Sequence, residues 1–91
     1  MSDSLCARRH CFVVEAADEF DAVIRVLTPF AVQAAQLASV TMERGPHGVR
    51  IRIEADGLSS QRAETLVQRL RAMRVVLGVA IGWRQAARAA A

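Results

Sequence analysis

The sequence contains no lysine, no asparagine and no tyrosine. All twelve basic residues are arginine, against nine acids, for a net charge of +3. Abundant arginine and alanine without lysine reads first as the codon bias of a GC-rich genome, and only second as a surface for polyanions. Aromatics are confined to three phenylalanines and one tryptophan, too few on the central strands for a platform that stacks RNA bases. The longest apolar run, "VVLGVAIGW", has nine residues, where spanning a bilayer takes about 20. "MSDSLCARRH" carries an acid near its start and no apolar segment of the kind a secretion signal needs. A cytoplasmic location is expected, with Cys6 and Cys11 as reduced thiols. No HExxH, no Gly-rich phosphate loop and no nucleophile–base pair occurs, so neither an enzyme nor a cofactor is expected.

Ninety-one residues make one domain with one modest core, and self-association would add to its small stability margin. Residues 1–9 show no periodicity and are expected to be a mobile leader, with 84–91 a tail. "HCFVVEAA" has the length and composition of a strand, with Phe12 and Val14 on one face. Asp18 is a candidate N-cap, and Glu19 and Asp21 suit a first helical turn. Phe20, Val23, Ile24, Leu27 and Phe30 then recur at helical spacing. Pro29 lacks the N–H that would bond the carbonyl of Arg25, so a kink or a lost last turn is expected there. "AQLASVTMER" predicts a second strand in which Leu37, Ser39, Thr41 and Glu43 alternate against Ala38, Val40 and Met42. "GPHG" predicts a hairpin loop. "VRIRIEA" is the clearest strand, with Val49, Ile51 and Ile53 inward and Arg50, Arg52 and Glu54 outward. Ser59 or Ser60 caps a second helix with the stripe Ala63, Leu66, Val67, Leu70 and Met73. "RVVLGVAIGW" is a fourth strand, with Trp83 at the edge of the core.

The order β-α-β-β-α-β predicts an α+β fold: a ferredoxin-like sandwich with two helices on one face of a four-stranded antiparallel sheet. Phe12, Val14, Val23, Ile24, Leu27, Ile51, Ile53, Leu66, Leu70 and Val79 are expected to be buried together. The second strand falls at a sheet edge, uncharged over "AQLASVTM" and free of proline, and such an edge invites pairing with its own copy.

Cys6, His10 and Cys11 offer three soft ligands, but a zinc site needs a fourth and paired spacing, so no metal is expected. Arg50, Arg52, Arg69, Arg71 and Arg74 leave a diffuse phosphate-binding surface as the nucleic-acid alternative, an unlikely partner class given the codon-bias reading.

"DEFDAVIRVLTPFAVQAAQLASVTM" resembles the first helix and second strand of ACT domains, most closely those of acetolactate synthase small regulatory subunits. Matching positions include Asp18, Glu19, Val23, Arg25, Val26, Phe30, Ala35, Gln36, Leu37 and Ser39. "LRAMRVVLGVAI" is similar to the family's last helical turn and strand. The resemblance spans residues 10–83. It implies a homodimer joined through Leu37, Ser39 and Thr41, and a regulatory role beside the catalytic subunit of an amino-acid biosynthetic enzyme. It also implies an amino-acid effector near Asp18, Asp21, Ala34, Gln36 and Leu37. Where the family has two glycines, this chain has Asp21 and Ala34. The first substitution puts a negative charge where an effector's carboxylate would sit. The second either holds a residue with a Cβ at a positive φ, at about 1–2 kcal/mol of strain, or implies a different turn. A degenerate module that dimerises without a ligand is therefore the companion expectation.

Overall fold

The computed structural model describes residues 8–85. In chain order the elements are β1 (Arg8–Ala16), α1 (Ala22–Val32), β2 (Gln36–Arg44), β3 (Val49–Asp56), α2 (Ser60–Arg71) and β4 (Val76–Gln85). The strands form one antiparallel sheet in the order β2-β3-β1-β4. Both helices pack on one face of it, and the expected ferredoxin-like sandwich is the fold of the chain. β1 and β4 each extend two residues beyond the expected 10–83. Residues 1–7, with Cys6, and residues 86–91 of the expected tail lie outside the described residues.

β3 sets the sidedness of the sheet. Its residues alternate without exception, so Val49, Ile51, Ile53 and Ala55 are buried while Arg50 and Arg52 are exposed. Cross-strand partners in an antiparallel ladder point to the same face. Phe12 opposite Ile53 and Val14 opposite Ile51 therefore lie in the same core. Phe12 meets Phe30 of α1 edge-on, with ring centroids 4.9 Å apart, a favoured aromatic geometry. From α2, Ala63, Leu66, Val67 and Leu70 are buried, and the Ser59 hydroxyl accepts the Arg62 N–H at 3.1 Å as N-cap. The 45–48 loop closes with Gly45 N–H on the Gly48 carbonyl at 2.7 Å. Gly48 holds φ +154°, and a Cβ there would run into the carbonyl oxygen of Ala16, so the hairpin admits no side chain at that point.

α1 departs from the expected orientation. Its buried residues are Ala22, Val26, Pro29 and Phe30. Val23 and Leu27 are only partly buried, and Phe20 and Ile24 are exposed. The helix begins at Ala22 with Asp21, not Asp18, as its N-cap, so Phe20 precedes it and does not share its periodicity. Most of α1 is apolar, and several stripes satisfy a 3.6-residue period. The one through Ala22 and Pro29 faces the sheet. Pro29 neither ends the helix nor removes its last turn, because helical structure continues to Val32. Arg25, whose carbonyl loses its usual donor, is an exposed residue where solvent can replace the missing bond. Val79 is half-buried and Trp83 is 57% exposed, since β4 lies at the second edge of the sheet and its outer end is not covered.

Candidate functional site

The five residues that the resemblance assigns to an effector lie at two opposite ends of α1. At its start, Asp18 pairs with Arg44, the last residue of β2, at 3.4 Å. Asp21 occupies the N-cap but makes no capping bond with its side chain. Its carboxylate instead accepts from Nε of Arg25 at 2.8 Å, one turn along the helix. Both acids thus carry an arginine partner, and both remain about half exposed.

At the other end, the helix terminates in a Schellman turn. The Ala35 N–H bonds the Phe30 carbonyl and the Ala34 N–H bonds the Ala31 carbonyl, both at 3.0 Å. Ala34 occupies the left-handed position with φ +57°. An alanine thus fills the place that usually takes glycine, and the chain turns into β2 without one. Gln36 lies opposite Asp56 and Leu37 opposite Ala55. Gln36 and Arg44 bound β2, so about 26 Å of extended chain separates them at about 3.3 Å per residue. Within one chain, Asp18 and Asp21 do not meet Gln36 and Leu37.

β2 is exposed at every one of its nine residues. It has one neighbour, β3, and no helix covers it. The ladder shifts register between Leu37 and Ser39, which makes Ala38 the extra residue of a bulge. The simple alternation expected from the sequence therefore fails at this point. Leu37 joins Val40 and Met42 on the helix-bearing side, while Ser39 and Thr41 face the opposite side with Arg52 and Glu54. Leu37, Val40 and Met42 are all substantially exposed. Val23 and Leu27 of α1 are only partly covered.

The sheet face away from the helices is a lattice of opposite charges. Arg9 makes two 2.8 Å bonds to Asp56 and lies 3.8 Å from Glu54. Arg50 reaches Glu15 at 2.6 Å. The hydrogen bonds from Arg9 hold the Asp56 carboxyl below its ordinary value of 3.8, against a smaller upward push from burial. The same pairing raises Arg9, and the bond to Glu15 raises Arg50. Two of the arginines on this face are thus committed to carboxylates, which reduces the charge available to phosphates. The part played by Arg9 is invisible in the sequence. It falls in the expected leader, and its partner is 47 positions away. His10 and Cys11 are neighbours on a strand and point to opposite faces: His10 is buried on the helix side and Cys11 is half-buried on the other. Among the described residues no three ligand-type side chains gather as a metal site would require.

No helix among the described residues is long and apolar enough to cross a membrane. By sequence, no curated protein matches the chain. By fold, it is similar to the C-terminal domain of the MgtC protein from Mycobacterium tuberculosis, with a TM-score of 0.72, 15% identity and 98% of both chains covered. It is similar to the ACT domain of GTP pyrophosphokinase from Chlorobium tepidum, with a TM-score of 0.70 and 9% identity over 81% of this chain and 96% of that one. The prephenate dehydratase of Staphylococcus aureus contains the same fold within a longer chain. There the TM-score is 0.63 and the identity 14%, over 91% of this chain and 31% of that one. Residues 2–90 match the family described as ACT-like domain. The chain belongs to the ACT-like domain family.

Proposed function

We propose that this chain is a regulatory module that works as a homodimer joined along β2 and acts on the catalytic subunit of an amino-acid biosynthetic enzyme, such as an acetolactate synthase. The observation that carries the dimer is β2 itself. A nine-residue edge strand exposed throughout, with Leu37, Val40 and Met42 on its helix side, is a surface that isolated chains normally protect. The partly covered Val23 and Leu27 of α1 extend the apolar area. Antiparallel pairing of two β2 strands about a twofold axis would continue the sheet across both copies and bury this area in each.

The same pairing supports the effector reading. It would bring one copy's Gln36 and Leu37 toward the Asp18–Arg44 end of the other, joining the two halves that are separated within a single chain. Light scattering and sedimentation at micromolar concentration test the dimer. The native chain should run as a dimer, and Met42→Glu, at an exposed position, should run as a folded monomer. A native monomer at hundreds of micromolar overturns the proposal. Co-purification of a synthase-type catalytic subunit from cell extract tests the partner.

A further inference from the structure

A second apolar surface lies on the opposite flank of α1, where that helix and the end of α2 leave a groove of about 560 Å³. Its apolar lining includes Pro29, Val32 and Met73, and Arg25, Arg69 and Arg74 also line it. No acid does. Arg25 is shared with Asp21, whereas Arg69 and Arg74 have no carboxylate within 4 Å among the described residues. Arg69, like Arg71, lies in the last turn of α2, where a cation complements the helix dipole. Arg71 reaches the Val79 carbonyl and is not part of the groove lining. Arg74 lies beyond the helix, and the dipole does not account for its position.

We propose that this groove binds a small organic carboxylate with an apolar body, such as an acyl or aryl acid. The volume is that of an ordinary small-molecule site, apolar in most of its lining with a few polar groups to orient the ligand. Guanidinium groups match a carboxylate in geometry as well as charge. Elsewhere around α1 the chain is poor in such an opportunity, because the helix start presents Asp18 and Asp21. At 3.6 residues per turn, Arg25, Thr28 and Val32 face nearly opposite to Val23 and Leu27. The groove therefore stays open when β2 is occupied. Calling the ligand an effector rests on the regulatory reading above; the binding itself does not.

The test is a nitrogen-15 NMR titration of the full chain with decanoate, kept below micelle-forming concentration. Acetate, decanol and decyltrimethylammonium serve as comparison probes. Saturable shifts at Val32, Met73 and their neighbours with decanoate, and none with the other three, are expected. Arg69→Gln with Arg74→Gln should weaken decanoate binding about tenfold, as loss of charge-assisted hydrogen bonds at a surface implies. The spectrum of that variant should otherwise stay native. Equal shifts with decyltrimethylammonium would mean mere apolar adhesion, and equal shifts with acetate mere charge. Either result overturns the proposal, as do shifts that map to Val40 and Met42. Met42→Glu should bind decanoate as the native chain does, which separates the fate of the groove from that of the dimer.

Discussion

Replacing Ala34 by glycine removes a methyl group from a backbone position that disfavours it. Ala34 holds φ +57° in the turn that ends α1, where a Cβ crowds the adjacent carbonyl at a cost of about 1–2 kcal/mol. Glycine escapes that cost but brings extra freedom to the unfolded chain, worth roughly 0.4–1 kcal/mol in the other direction. The methyl is exposed, so little packing is lost. The balance is a stabilisation of about 0.5–1 kcal/mol, or roughly 4 °C in Tm for a domain of this size. Urea unfolding at one fixed protein concentration, followed by circular dichroism, should show a higher midpoint with an unchanged slope. Ala35→Gly is the control. That residue is half-buried with an ordinary φ, so the same change there should destabilise. Equal or lower stability for Ala34→Gly would refute the argument, because it would mean that the left-handed turn costs alanine no more than glycine's extra freedom in the unfolded chain.

Ile51 is fully buried and Ile24 is 68% exposed. Ile51→Ala should cost about 2–4 kcal/mol in denaturant unfolding, while Ile24→Ala should stay within about 0.5 kcal/mol. Equal losses would mean that α1 is rotated toward the stripe read from the sequence. Asp56 has a lowered carboxyl pKa because Arg9 binds its ionised form. Its contribution to stability is present above the unfolded value, near 3.8, and is lost as pH falls through the lower folded value. Asp56→Asn should therefore lower Tm at pH 7, and the gap from the native chain should close on acidification. A gap that persists in acid would point to lost packing instead. For the effector, a like charge about 5 Å from a ligand carboxylate costs roughly 3 kcal/mol at an effective dielectric of about 20, and the Arg25 partner of Asp21 reduces this. Calorimetry should find no millimolar binding of valine, leucine or isoleucine to the native chain, with affinity appearing in Asp21→Gly. Tight valine binding by the native chain would show that Asp21 does not guard the site.

The sequence by itself determined what depends on short-range periodicity. Val49, Ile51 and Ile53 against Arg50 and Arg52 can form a two-faced strand in only one way, because successive side chains alternate. The Ala63–Leu66–Val67–Leu70 stripe is bounded by arginines and glutamines, so only one face of α2 could be buried. These two elements anchored the β-α-β-β-α-β order, and that order was enough for the sandwich and for its exposed edge at β2. Tertiary structure decided the remainder. α1 is apolar on several sides, and only contact with the sheet selected Ala22, Val26 and Pro29 over Phe20 and Ile24. The bulge at Ala38 redirected Leu37 through a mismatch between two strands that neither strand shows alone. The bond from Arg9 to Asp56 and that from Arg50 to Glu15 join residues 47 and 35 positions apart. The arginine-lined groove exists only because the end of α2 lies beside α1. Periodicity is set by the sterics of neighbouring residues and can be read locally. The facing of an evenly apolar helix and the pairing of distant charges depend on which surfaces the folded chain brings together.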